Sequence, residues 1–192
     1  EVIPKIISVV NNENREKLEP IKVPEFCPGC ESKILKDEWK VRYYCPNNID
    51  CPLKHHEKLV FAVGKGGFNI DWLWDKQVET FLNAWIIKNL VDIFKIEEKK
   101  DEILKLEWFK EKSVENLIIW VENAKKMDIF ILIMALWISW VWKKTSKTLA
   151  KLFESENDLI NFSYSQQDLE ELWDIWPEIA INVIDFFSSD IN

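Results

Sequence analysis

The sequence predicts a mostly α-helical protein in which a small cysteine-bearing module precedes an all-helical domain built from repeated helix and tight-turn units. Three observations predict it. All four cysteines fall in one segment, as Cys27-x2-Cys30-x14-Cys45-x5-Cys51. Beyond residue 60, apolar residues recur at three- and four-residue intervals and no alternating strand pattern appears. Four stretches, IDWLWDK (70–76), LEWFKEKS (106–113), LWISWVWKKTS (136–146) and LWDIWPEIA (172–180), share a layout in which an apolar run enters a tryptophan-centred turn and a new helix starts.

Taken in order, residues 1–22 open with an extended pattern, Val2, Ile3, Ile6, Ile7 and Val9, and pass into polar NNENREKLEP. They read as the last strand of a preceding domain and a linker, so the chain is expected to begin mid-protein.

Residues 23–60 form the cysteine module. Two cysteine pairs separated by the strand-forming stretch KILKDEWKVRYYC suit a tetrahedral site in which Cys27, Cys30, Cys45 and Cys51 bind zinc as thiolates. A four-thiolate shell leaves no open position, so the metal is structural and stands in for a core that so small a module cannot build. The alternatives are a redox CxxC or disulfides. Zinc thiolates imply a reducing, cytoplasmic setting. His55 and His56, the only histidines, read as a solvated pair near a helix start.

Residues 61–192 carry helical stripes: Val78, Phe81, Leu82 and Ile86; Val114, Leu117, Ile118 and Val121; and finally Ile179, Val183, Phe186 and Phe187. The charged runs IEEKKDE (96–102) and ESENDL (154–159) read as solvated turns between motifs. Residues 136–149 show the motif best. In a helix-hairpin-helix element, an apolar helix runs into a hairpin whose backbone N–H groups face a phosphate, and the next helix starts with basic and hydroxyl residues. Lys143, Lys144, Thr145, Ser146 and Lys147 supply that start here. The hairpin should read Gly-hydrophobe-Gly, because glycine takes positive φ and lets the backbone approach the phosphate. This chain has Trp140-Val141-Trp142.

The candidate DNA contacts over the four motifs are therefore Trp72, Trp74 and Lys76; Trp108, Lys110, Lys112 and Ser113; Trp140, Trp142, Lys143, Lys144 and Thr145; and Trp176. No catalytic residue is legible. The net charge of −8 opposes wholesale attraction to nucleic acid, so any grip must come from local lysines and backbone donors. With 47% apolar and 30% charged residues the composition is that of a soluble globular chain, and the longest near-apolar run, 129–142, is too short to cross a bilayer. Secretory targeting features are absent from EVIPKII.

Composition sharpens the tryptophan anomaly. Glycine normally makes up about 7% of residues, roughly 13 in a chain of this length. This chain has 4 Gly and 11 Trp, and the surplus of one matches the deficit of the other. Many or all tryptophan positions are accordingly expected to be glycine in the natural protein, as when UGA codons read as glycine in the source are translated as tryptophan. The competing expectation is a genuinely tryptophan-rich surface for binding protein or stacking single strands.

The combined motifs resemble the C-terminal half of bacterial NAD-dependent DNA ligases. VIPKI (2–6) looks like the end of that family's OB-fold domain, the cysteine spacing resembles its zinc finger, and CPxxxxEKLVFxVxKxxFNID (51–71) resembles its entry into the helix-hairpin-helix domain. The four hairpin motifs follow in the family's order. Against that pattern Trp39, Trp72, Trp74, Trp85, Trp108, Trp137, Trp140, Trp142 and Trp176 stand where glycine is usual, while Trp120 and Trp173 match less clearly. Glu31 and Lys110 depart from it, also at glycine positions.

The resemblance implies a part of an enzyme that seals nicks in duplex DNA during replication and repair, with NAD and Mg2+ used by the parent enzyme and not bound by this part. The family's KxDG motif, which carries the adenylated lysine, is absent from this sequence. The implied partner is nicked duplex gripped without regard to sequence, by a monomer away from membranes. The alternative is a non-enzymatic helix-hairpin-helix DNA-repair adaptor.

Overall fold

The computed structural model describes residues 4, 5, 7, 8, 18, 19, 21–36, 41–48 and 50–188. The N-terminal strand expected on Val2, Ile3, Ile6 and Val9, and Trp39, lie outside the described residues. The chain divides into two units between Asn47 and Asn48. That division falls inside the segment 23–60 expected to form one module, because the helix α1 (Pro52–Val63) groups with the helical unit.

The first unit contains an antiparallel ribbon of β1 (Leu35–Lys36) and β2 (Tyr43–Tyr44), with Leu35 opposite Tyr44 and Lys36 opposite Tyr43. A further bridge joins Phe26 and Lys33. Leu35, Tyr43 and Tyr44 are all exposed, so the ribbon lacks an apolar core and is too short to stand alone. At the first cysteine pair the chain doubles back: Glu31 N–H donates to Cys27 O at 2.9 Å and Cys27 N–H to Ser32 O at 2.8 Å, with Glu31 at φ 57°. Glu31 thus occupies a left-handed position of the kind glycine favours.

The second unit is helical throughout its described residues. After α1 come α2 (Asp75–Asn83), α3 (Leu90–Phe94), α4 (Lys100–Ile103), α5 (Glu111–Ala124), α6 (Ile129–Ala135), α7 (Lys143–Leu149), α8 (Glu156–Ile160), α9 (Gln166–Glu170) and α10 (Pro177–Ser188). Several are too short to persist by propensity, and side-chain caps and buried apolar faces hold them. Asn89 Oδ1 accepts the Asp92 N–H at 3.1 Å ahead of α3, and Ser165 and Asp168 cap each other's backbone at α9. Gly67 is required by packing, since a Cβ there would lie 2.1 Å from the Ala62 carbonyl oxygen.

Two apolar cores organise this unit. The first gathers Leu59, Val63, Leu73, Val78, Phe81, Ile93, Phe109 and Leu117 among others; the second gathers Ile133, Val141, Leu149, Phe153, Leu169, Ile175 and Val183. The stripes read from the sequence supply both. The charged runs are corrected by the same packing. Residues 96–102 form a 3-10 turn and the start of α4, with Glu97, Glu98, Asp101 and Glu102 exposed as expected, but Ile96 and the adjacent Ile103 are buried in the first core and make the run helical. Much of 154–159 lies in α8, where Leu159 is buried in the second.

Candidate nucleic-acid interface and metal centre

The four tryptophan-centred stretches fold into one recurring turn. In each, the central apolar residue sends its N–H back three residues: Leu73 to Ile70 O at 3.4 Å, Phe109 to Leu106 O at 3.1 Å, Val141 to Ile138 O at 3.1 Å and Ile175 to Leu172 O at 3.2 Å. All four central side chains are buried, Leu73 and Phe109 in the first core, Val141 and Ile175 in the second. Within two residues of each a helix starts, α2, α5, α7 or α10. Burial of the central residue pins the turn, so the residues flanking it face outward.

The residue before each central one sets the turn's backbone. Trp72, Trp140 and Asp174 have φ of 69°, 67° and 71°, in the left-handed region, where a Cβ is crowded by the following carbonyl. The second turn differs, for Trp108 lies outside that region. The residue after the central one is extended: Trp74, Lys110 and Trp142 have φ of −98°, −115° and −101° and serve as N-caps. The expected demand for glycine-like φ at both positions therefore holds only at the first. Trp72, Trp74, Trp108, Trp140, Trp142, Trp173 and Trp176 are all exposed, although an indole normally contributes most of its large area to a core.

Two further tryptophans are left-handed at helix C-termini. Trp85 has φ 57°, its N–H donates to Leu82 O at 3.1 Å, and the next N–H, of Ile86, reaches Phe81 O at 2.9 Å. This is a Schellman motif with tryptophan in the position that glycine usually fills. Trp137, at φ 56°, follows α6 and donates to Met134 O at 3.3 Å.

The lysines chosen from the sequence are exposed at the helix starts: Lys76, Lys110, Lys112, Lys143 and Lys144. Two of the proposed contacts are otherwise engaged and a third is largely covered. Thr145 is 8% exposed and sits beside the fully buried Ser146. Ser113 Oγ donates to the Lys110 carbonyl at 2.7 Å and accepts the Lys110 N–H at 2.9 Å; it caps α5. Lys144 Nζ lies 2.6 Å from Asp174 Oδ2. Sequence reasoning also missed the histidines, which are half-buried rather than solvated: His55 Nε2 is 2.6 Å from the Lys88 carbonyl, and His56 Nε2 is 3.3 Å from Asp75 Oδ1. No single-residue signal announces such contacts, since both depend on how α1 packs.

The four cysteines converge as their spacing predicts. Their Sγ atoms all lie within 4.8 Å of one another, and none is in a disulfide. A tetrahedral zinc with Zn–S of about 2.3 Å needs sulfur separations of about 3.8 Å, so modest closure would complete the shell. Cys27 and Cys51 are buried. A hydrogen bond with the Ser32 side chain, helped by its backbone, brings the Cys30 thiol down to about 6, and desolvation raises Cys45, 3.5 Å away, to about 12. Thiols crowded this way cannot all ionise without a cation among them, which is the chemistry of a metal site.

Residues 26–52 match the family model described as the NAD-dependent DNA ligase C4 zinc finger domain. The whole chain aligns with curated proteins named DNA ligase. It is 33% identical over 190 residues to one from Finegoldia magna, covering 99% of this chain and 28% of the relative. A DNA ligase of Mycoplasma mycoides is 33% identical over 192 residues, again 28% of its length, and one of Salinibacter ruber is 29% identical. The chain is related to DNA ligases along its whole length. It spans about 28% of the length of these relatives, a stretch that holds a four-cysteine metal site and a mostly helical unit, as the resemblance implies. Among the described residues no helix is long and apolar enough to cross a membrane.

Proposed function

We propose that the helical unit is a tandem helix-hairpin-helix domain that grips duplex DNA without reading its sequence, as part of an enzyme that uses NAD and Mg2+ to seal nicks. The observation that carries this reading is the fourfold recurrence of one turn, with the same three-residue hydrogen bond, the same buried central residue and a new helix immediately after. Such turns hold backbone N–H groups at fixed positions toward phosphate oxygens, while the exposed Lys76, Lys112 and Lys143 add charge. Pairing of turns one and two in one core, and of three and four in the other, sets two rigid grips. The relatives named DNA ligase support this over an adaptor.

The contribution of this stretch is position. Phosphate contacts fix a duplex in register and orientation but carry no base information, which suits an enzyme that must act at any nick. Cys27, Cys30, Cys45 and Cys51 would hold zinc, which supplies the cohesion the exposed ribbon lacks. The test is binding to nicked and intact duplexes of unrelated sequence, with glycine restored in the turns, across a range of salt. Weak, sequence-independent binding that falls with salt, and is reduced by Lys76→Glu and Lys143→Glu, is the expected result. Failure of the glycine-restored chain to bind any duplex would overturn the reading.

A further inference from the structure

We propose that the natural protein carries glycine at positions 72, 74, 85, 137, 140 and 142, and that the tryptophans there come from UGA codons that its source reads as glycine. The resemblance already marks nine tryptophans at glycine positions; the structure singles out six of them through two backbone demands that rest on neither composition nor resemblance.

The first is the left-handed region. Among the described residues seven non-glycine positions have positive φ: Glu31, Asn69, Trp72, Trp85, Trp137, Trp140 and Asp174. Four are tryptophan. Asn and Asp are enriched in this conformation, whereas a bulky residue there is an outlier. No described glycine has positive φ, so the positions that call for glycine lack it while tryptophan holds most of them. At Trp85 the demand is most specific, for both hydrogen bonds of a Schellman motif are in place around it.

The second is the helix N-cap. Trp74 and Trp142 cap α2 and α7 in extended conformation with no side-chain bond to the helix. Glycine ranks close to threonine at this position and far above apolar residues. All six indoles are 40–74% exposed; Trp137 meets Phe61 edge-on at 4.6 Å, and none of the six is a buried member of either core. Trp120 supplies the contrast: it sits inside α5, half-buried against the first core, where glycine would weaken the helix, and it is outside the assignment.

The experiment has two arms, neither of which uses DNA, so that its failure is separable from failure of the binding reading. In the first, the gene's codons are read and peptides of the protein isolated from its source are weighed. UGA codons and glycine masses at the six positions are expected; UGG codons or tryptophan masses at the left-handed positions would overturn the proposal. In the second, each tryptophan of the present chain is changed to glycine and, separately, to alanine. At the four left-handed sites glycine should raise the melting temperature above that of the alanine variant, by about 2–4 °C per site, and at the two caps it should also exceed alanine. At Trp120 the order should reverse, alanine above glycine. Alanine equal to or above glycine at the left-handed sites would remove the backbone argument on which the assignment stands.

Discussion

The ammonium of Lys144 lies 2.6 Å from Oδ2 of Asp174, so the start of α7, just past the third turn, is tied to the left-handed residue of the fourth. The contact is a close ion pair without hydrogen-bond alignment. With its carboxylate there, Asp174 occupies Lys144, a charge that the proposed grip would otherwise offer to a phosphate. Asp174→Asn in the glycine-restored chain should therefore tighten duplex binding and steepen its salt dependence by about one counterion's worth of slope. Lys144→Ala should cost less affinity than Lys143→Ala. Titrations by fluorescence anisotropy at several salt concentrations measure both; an unchanged slope in Asp174→Asn would show that the carboxylate does not govern the grip.

Metal removal should act on one part of the molecule. The cysteine ribbon exposes Leu35, Tyr43 and Tyr44, whereas the helices are held by two apolar cores of their own. Chelation is expected to release one zinc per chain and to collapse dispersion of the residue 26–48 amide resonances, while helical circular dichroism stays largely intact. Cys45→Ser should mimic the treatment. Loss of most helicity on chelation would mean that the cores depend on the metal.

Ser146 is fully buried in α7, and its Oγ has no hydrogen-bond partner among the described residues. A buried hydroxyl left unsatisfied loses its water without recompense. Ser146→Ala should stabilise the protein by about 1 kcal/mol in denaturant unfolding. A destabilised variant would indicate that the hydroxyl is satisfied in solution.

Helix α9 should respond to acid through Asp168. Hydrogen bonds from the Ser165 side chain and then its backbone hold this carboxyl below its usual value. A depressed folded pKa adds stability that is complete above the unfolded carboxylate value and is lost as pH falls through the folded one. Fraying of residues 166–170 in amide exchange should begin only below the ordinary carboxylate range, and Asp168→Asn should fray at neutral pH with no such acid transition.

Much of the molecule was legible without coordinates, because the signals were local or periodic. The cysteine spacing specified the cluster of Cys27, Cys30, Cys45 and Cys51, and the three- and four-residue stripes specified the faces that became the two cores. Even the anomaly of tryptophan at turn positions could be read, since the turn layout repeats. What required the tertiary structure was whatever depends on which surfaces meet. Charged residues 96–102 read as a solvated turn; their acidic side chains are exposed, yet Ile96 and Ile103 are drawn into the first core and make the run helical. Thr145 looked as open as Lys144 beside it, but the packing of α7 leaves it 8% exposed. His55 and His56 looked solvated until α1 brought them to Lys88 and Asp75. The backbone, too, decides between neighbours that sequence treats alike: of the pair flanking Val141, Trp140 is left-handed and Trp142 is extended. Local chemistry is written residue by residue, but burial, pairing and the sign of φ follow from how the whole chain closes on its cores.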